Sequence, residues 1–406
     1  VLWILASVAF ALLCYEIPTL VTEVLVRLLR NPSGLQTDFH YYFAAAQRFS
    51  TDPSALYLPG DHVIAGFAYP PPAILPFLAL SALPLGAALL VTTVASYGAI
   101  LMAALQWSRY LDRCGISTDR KTRIGILLIV FASGPTYMNA IFGQVNAFVL
   151  ASAVAFVLLA GAVPLMAGLL LASGAWLKLY PVLMLWVGAW DRRAWRAIGY
   201  SAAALVAIGA LSLVWLPIDA YEMFLTFVLP SRTGNTAIHI TNQSLVAFLE
   251  RFRYDPALYL NWTGEQAVTI SRAAGVINLA TLAAALVALR TSARQPHRSA
   301  HAVATLMALV AVIAPLGWGH TYVMVLPLVM LRLMQLPSSG RFVKWFTFAA
   351  VSALMIRSGR HLPIDMIPAW LQNLVYSRYL LATVGLILIP TAPFAPSTRR
   401  AAAASA

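Results

Sequence analysis

The sequence predicts an all-α fold of the polytopic membrane class, and three observations carry that expectation. Hydrophobic residues fill 61% of the 406 positions, charged residues only 10%, and the mean hydropathy is +0.79. A water-soluble domain keeps roughly a quarter of its residues charged to hydrate its surface. The apolar residues also run unbroken over stretches of about twenty, the length a helix needs to cross roughly 30 Å of hydrocarbon. A β-barrel would instead alternate over segments of about ten residues. Lipid is therefore the expected solvent for most of the chain.

Residues 1–26 begin inside an apolar run with no basic stretch ahead of it, and carry Glu16 and Glu23 toward the outer half. They read as a span or signal anchor and not as a cleaved signal peptide. Further apolar segments lie near 69–85, 86–107, 124–142, 146–162, 164–190, 197–217, 268–289, 302–317, 321–336, 343–356 and 374–392. Together they predict a single integral membrane domain over 1–406, a bundle of about ten to twelve transmembrane helices with outer juxtamembrane helices. Sixteen of the 27 Lys and Arg gather at five places: 109–123, 192–196, 290–298, 332–344 and Arg399/Arg400. The positive-inside rule makes those five cytoplasmic. The connections 27–68, 135–146, 218–267, 318–320 and 357–373 then face out, with 27–68 and 218–267 expected to cover a cavity. On this reading the net charge of +13 reflects cations retained in cytoplasmic loops, and no nucleic-acid partner is implied. Cys14 and Cys114 stand far apart and outside any CxxC, so neither a disulfide framework nor a cysteine metal site is indicated.

Two regions resist a simple alternation of spans. If 69–85 and 86–107 both crossed, the five-cation loop after them would fall outside. Pro70, Pro71, Pro72, Pro76 and Pro84 crowd the first of these segments. Proline removes an amide donor and bends helices, so a short or half-buried segment is expected there. Residues 146–190 likewise divide into short pieces at Gly161–Pro164 and Lys178–Pro181. Broken helices survive at membrane depth only against protein or a water-filled cavity, so the irregular regions are where a cavity is expected. The two halves show no obvious repeat, which counts mildly against a transporter. No P-loop, GxGxxG, HExxH, GxSxG or carboxylate cluster is present, so the sequence offers no nucleotide, zinc or serine-hydrolase chemistry. No metal site and no cofactor are expected.

Polar groups beside lipid are costly, so those that remain are functional candidates. In Thr37-Asp38-Phe39-His40-Tyr41-Tyr42, a helix with Thr37 as N-cap places Asp38 near the membrane surface. Asp38 there either supports the helix N-terminus by its charge or accepts a proton from a bound hydroxyl. Tyr69-Pro70-Pro71 leads back into the membrane. Gln144 and Asn146, in Phe142-Gly143-Gln144-Val145-Asn146, either bind hydroxyl or phosphate oxygens or cap a broken helix. Lys178 is the single Lys or Arg within a long apolar stretch, beside Tyr180-Pro181. It either snorkels or meets an anionic group at a cavity. Asn242-Gln243-Ser244 follows a Gly/Thr/Asn-rich loop and is a formal sequon, as is Asn261-Trp262-Thr263. His320, in Gly317-Trp318-Gly319-His320-Thr321-Tyr322, is structural or shares the outer face with Asp38. The set suits transfer from a lipid-borne phosphate, with Asp38 as base and Lys178 or another cation on the departing phosphate.

These motifs, in this order, resemble the polyprenyl-phosphate-dependent mannosyltransferases of glycosyltransferase family 87, in the GT-C superfamily, among them those that mannosylate phosphatidylinositol mannosides. The resemblance implies an inverting membrane glycosyltransferase of the cell inner membrane, with its active site on the outer face. It implies a polyprenyl-phosphate sugar donor, typically mannose, and a glycolipid or envelope-glycan acceptor. It maps the catalytic base onto Asp38 and a partner of the base or the donor phosphate onto His320. Lys178, His320 and Arg48 are the expected phosphate contacts. Tyr41, Tyr42, Tyr69, Gln144, Asn146, Tyr180, Asn242, Gln243 and Trp318 are the expected substrate contacts. The chain beyond 357–373 is too short for a large C-terminal carbohydrate-binding domain, so specificity is expected from the cavity and its loops. The competing expectations are a flippase for a lipid-linked sugar, and a GT-C enzyme using another donor, such as an arabinose carrier, or moving a whole glycan.

Overall fold

The computed structural model describes residues 1–30, 38–57, 66–260, 267–293, 296–357 and 366–389. Thr37, Asp61, Arg294, the Asn261–Thr263 sequon, the Arg399/Arg400 tail and the side chain of Glu23 lie outside the described residues. Helix α1 (Leu2–Arg30) precedes α2 (Asp38–Thr51), and a 3-10 turn at Pro71–Ala73 runs into α3 (Ile74–Ser81). Then come α4 (Leu85–Arg113), α5 (Arg120–Phe131), α6 (Gly134–Ile141), α7 (Asn146–Leu159) and α8 (Pro164–Leu177), followed by a 3-10 stretch at Tyr180–Ala189. After α9 (Trp195–Ser212) the chain builds a ledge. It consists of α10 (Ile218–Met223), a π turn at Phe224–Val228, α11 (Leu229–Gly234), β1 (Asn235–Ala237), α12 (Leu245–Arg251), α13 (Pro256–Leu260) and β2 (Ala267–Thr269). The two three-residue strands pair antiparallel, Thr236 opposite Val268. The rest is helical: α14 (Arg272–Ser292), α15 (Pro296–Ile313), a 3-10 turn at Gly319–Val325 leading into α16 (Leu326–Gln335), α17 (Arg341–Met355), α18 (Ala369–Tyr376) and α19 (Arg378–Leu388).

The protein is thus an all-α polytopic membrane protein. Among the described residues, five helices are long and apolar enough to cross a bilayer, and the α5–α6 pair, bent by 50°, makes a sixth. The expected ten to twelve spans are approached only by adding shorter apolar helices of 10–17 residues. Helices α7 and α8 have 14 residues each, or ~21 Å at 1.5 Å per residue, well short of a hydrocarbon core. Pro164 and the Lys178–Pro181 break shorten them. Small residues then let such pieces pack closely, as membrane helices require. A Cβ on Gly168 of α8 would lie 2.7 Å from the backbone nitrogen of Ser201 in α9.

The proline-rich segment 69–85 contains only the Pro71–Ser81 helix, ~16 Å long, so it does not reach across. Removing it from the crossings returns the Arg109–Arg123 loop to the side of the other basic turns, and the packing agrees. Arg113 Nη1 donates to the Leu158 carbonyl at 2.8 Å, the Tyr110 hydroxyl lies 3.4 Å from Ser299 Oγ, and Gly161 abuts Arg193. Helix α4 links this basic end to the other end of the bundle, where Leu89 joins an aromatic cluster of Phe39, Tyr42, Phe43, Tyr57, Phe67, Tyr69 and Phe77. Among the buried residues of α2, Phe39, Tyr42, Phe43, Ala46 and Phe49 fall on one helical face, with the small Ala45 buried beside them. That face seats α2 on α3 and α4. On α9 and α14, Val206 and Leu279 are 74% and 66% exposed, as expected of faces turned to lipid.

Candidate functional site

The site is organised by one turn. Helix α6 ends in a reciprocal pair of backbone bonds, Gly143 N–H to the Ala140 carbonyl at 3.1 Å and Gln144 N–H to the Asn139 carbonyl at 2.9 Å. This closure needs a residue with positive φ, and Gly143 supplies it at 61°. The chain then starts α7 at Asn146, which places both amides of the Gly143–Asn146 turn inward. The Phe142 carbonyl accepts the Phe39 N–H at 3.0 Å, fastening the first turn of α2 to the end of α6. A Cβ on Gly143 would lie 2.6 Å from that of Phe39. Gly143→Ala is therefore expected to cost about 1–3 kcal/mol from strain and overpacking and to dislodge α2. Thermal unfolding of the solubilised protein should show a lowered Tm together with lost activity.

Four separate segments meet at this turn. Gln144 Nε2 donates to Asp38 Oδ2 and, at 2.8 Å, to the Tyr42 hydroxyl. Its Oε1 accepts from Lys178 Nζ at 3.2 Å and from the Tyr69 hydroxyl at 3.1 Å. The Tyr42 and Tyr69 hydroxyls lie 2.5 Å apart. Lys178, where α8 breaks, also reaches Asn146 Oδ1 at 2.8 Å and sits above the rings of Tyr69 and Tyr180. Asn146 Nδ2 lies 2.9 Å from His320 Nδ1, and His320 Nε2 lies 3.4 Å from Asp38 Oδ2. Lys178 retains 7% exposure, His320 4%, Gln144 2% and Asn146 none, so these polar groups satisfy one another away from water.

Asp38 is the more open member, with 36% of its side-chain surface accessible. Burial pushes its carboxyl up. The His320 N–H, the Gln144 amide and the Lys178 charge together outweigh burial and hold it below the usual aspartate value. The base candidate is therefore ionised at neutral pH. Asp38 also stands in the first turn of α2, where its charge favours the helix N-terminus. Burial keeps the Tyr42 phenol protonated by raising it well above its ordinary value, with the charges of Tyr69 and Asp38 adding to this.

Asp38 borders a cavity of about 350 Å³. Its polar end carries Tyr41, Tyr42, Tyr69, Gln144, Lys178, Tyr180, Trp318 and His320; Leu183, Phe224, Leu229, Val310 and Ile313 line the rest with hydrocarbon. Two basic side chains, Lys178 and Arg232, share it with one carboxylate. Arg232 is a residue that sequence reasoning missed. It stands on α11, which the π turn at Phe224–Val228 brings over the cavity. A loop arginine in a Gly/Thr/Asn-rich stretch reads as solvated, and no local pattern marks it otherwise.

Three expected contacts lie elsewhere. Arg48 turns to the Ala55 carbonyl at 3.5 Å, away from the cavity wall. Asn242 and Gln243 are fully buried behind it. Gln243 N–H donates to the Gly317 carbonyl at 2.8 Å, Gly319 N–H to the Thr241 carbonyl at 3.1 Å, and the Tyr322 hydroxyl to the Gln243 carbonyl at 2.6 Å. Arg251 clamps the same loop, donating to the Asn242 carbonyl, Asn373 Oδ1 and Ser377 Oγ, each at 2.8 Å. The backbone of the Thr241–Gln243 loop thus holds the Trp318–His320 turn in place, while the side-chain amides bond elsewhere, Asn242 Nδ2 to the Pro315 carbonyl and Gln243 Nε2 to the Tyr376 carbonyl. Asn146, also buried, bridges Lys178 to His320 and does not line the cavity. Among the described residues no three His, Cys, Asp or Glu gather as a metal-ligand set.

The bundle of this helical membrane protein thus ends in a cavity that holds a carboxylate, two basic side chains and an apolar wall. The chain belongs to glycosyltransferase family 87, whose sequence model matches residues 67–312, more than half of its length, and it is accordingly a membrane glycosyltransferase. No curated protein matches the chain. The family match covers Gln144, Asn146, Lys178 and Arg232; Asp38 and His320 lie outside it and join the site through the fold.

Proposed function

We propose that this glycosyltransferase moves a hexose, mannose foremost, from a polyprenyl-phosphate donor to a lipid-linked or cell-envelope glycan acceptor, with inversion at the anomeric carbon. The observation that carries the reading is the pairing, in one cavity, of an ionised carboxylate with two cations and a hydrocarbon wall. The wall accommodates a prenyl chain, the cations meet its phosphate, and Asp38 faces the space left for an acceptor hydroxyl. In the transfer, the acceptor oxygen bonds to the sugar's anomeric carbon while the bond from that carbon to the phosphate oxygen breaks. Asp38 takes the hydroxyl proton. The phosphate passes from a monoanionic diester to a dianionic monoester, so charge develops where Lys178 and Arg232 stand. The basic turns at the other end of the bundle support an inner-membrane orientation with this cavity outside.

The test is product analysis. Purified protein given polyprenyl-phosphate mannose and membrane acceptors should release polyprenyl phosphate and yield an α-linked mannoside from a β-linked donor. Movement of the donor across vesicles without a new glycosidic bond would instead identify a flippase. An arabinoside formed from an arabinose carrier, with mannose untouched, would reassign the sugar. Reversible loss of turnover in EDTA would add a metal to the scheme.

A further inference from the structure

We propose that Asn146 is a positioning residue that locks His320 in the tautomer whose Nε2–H faces Asp38, with Lys178 fixing the polarity of the Asn146 amide. The proposal rests on Asp38 being the base. An ammonium group only donates hydrogen bonds. Lys178 Nζ lies 2.8 Å from one end of the Asn146 amide and 3.2 Å from one end of the Gln144 amide. Both of those ends are therefore oxygen, and both NH2 groups point the other way. Reversing either amide would set its NH2 against the ammonium.

The remaining assignments follow. The Asn146 NH2 lies 2.9 Å from His320 Nδ1, so Nδ1 is the acceptor. A neutral imidazole carries one N–H, which must be on Nε2, the nitrogen 3.4 Å from Asp38 Oδ2. Gln144 Nε2 donates to the same oxygen. The Gln144 donor and the His320 Nε2–H at 3.4 Å thus both approach Oδ2, while Oδ1 accepts no hydrogen bond among the described residues. Its lone pairs remain for the acceptor hydroxyl. A lysine that does not touch the carboxylate hereby decides, through two amides, which carboxylate oxygen does the chemistry. The charged and titratable groups bearing on Asp38 are His320, Lys178, Tyr42, Tyr69 and Arg232.

The readout is the pH dependence of kcat/KM, which reports ionisation in the free enzyme. Turnover is followed as polyprenyl phosphate released from polyprenyl-phosphate mannose in membranes. Asn146→Leu removes the donor to Nδ1 and frees the imidazole to adopt either tautomer. Asp38 then loses part of its stabilisation, and the acid limb should move up by about one pH unit, with kcat down about tenfold and donor KM within about twofold. In a His320→Gln background the glutamine NH2 donates to Asp38 without help from Asn146. Adding Asn146→Leu there should cost less than about twofold, because the two residues act through one interaction. Asn146→Ala, which is smaller than the residue it replaces, carries the same expectations should the leucine variant not fold. An unmoved acid limb, or the same fold-loss in both backgrounds, overturns the proposal and leaves Asn146 as a packing or substrate contact. Full turnover in Asp38→Asn would instead remove the base on which it rests.

Discussion

Asp38→Asn is expected to lower turnover by about a hundred- to ten-thousand-fold, the range general-base catalysis spans, in a protein that still folds and binds donor. The substitution is close to isosteric, and the amide oxygen can still accept the Gln144 donor and face the His320 Nε2–H. Its NH2 then occupies the place of Oδ1, where it offers a donor to the acceptor hydroxyl and cannot take a proton. Asp38→Glu keeps the charge but shifts it by one methylene, so a partial loss is expected. The wild-type pH profile follows from the same contacts. A base works while deprotonated, so activity is present above its pKa in the folded protein and is lost as pH falls through it. Since Asp38 is held below the usual aspartate value, the acid limb should lie lower than an ordinary aspartate would give. An acid limb near neutrality, or an Asn variant turning over at the wild-type rate, would exclude Asp38 as the base.

The sequence made the chemistry more legible than the geometry. Asp38, Gln144, Asn146, Lys178 and His320 stand out because each is a polar group where the solvent is lipid, and the fold gathers all five. The spacing along the chain says nothing of how they are brought together. That depends on the Gly143 turn, on α8 stopping at Lys178, and on the ledge that fixes the Trp318–His320 turn. Asn242 and Gln243 carry the same polar signal and serve that ledge, since a buried amide satisfies backbone groups as readily as it does substrate. Arg232 gives the reverse case. Its neighbours look like an exposed loop, and only the π turn before α11 carries it to the cavity. The division into long and short spans is hard to read for a similar reason. Hydropathy measures how apolar a segment is, and the Pro71–Ser81 helix is apolar without being long enough to cross.

Lys178→Met should give the second large loss, about a hundred- to a thousand-fold in kcat/KM, corresponding to roughly 3–4 kcal/mol of transition-state stabilisation. Methionine keeps the length and apolar body of the stem, so packing against Tyr69 and Tyr180 is largely retained. What disappears is a buried cation holding Gln144 Oε1 and Asn146 Oδ1. Two consequences combine. The amides lose the group that sets their direction, which disturbs both groups that approach Asp38 Oδ2, and the cavity loses one of its two basic side chains as the phosphate becomes a dianion. Arg232→Gln helps to separate these effects, because Arg232 reaches the cavity from α11 and not from the segments that carry Gln144 and Asn146. Its loss should be nearer tenfold, should weaken inhibition by added polyprenyl phosphate more than it raises donor KM, and should move the acid limb up by less than Lys178→Met does. Both variants are to be compared by turnover, by product inhibition and by Tm of the solubilised protein. If Lys178→Met stayed within threefold of wild type with an unchanged Tm, the buried ammonium would be a structural support, and the charge opposing the phosphate would have to come from Arg232.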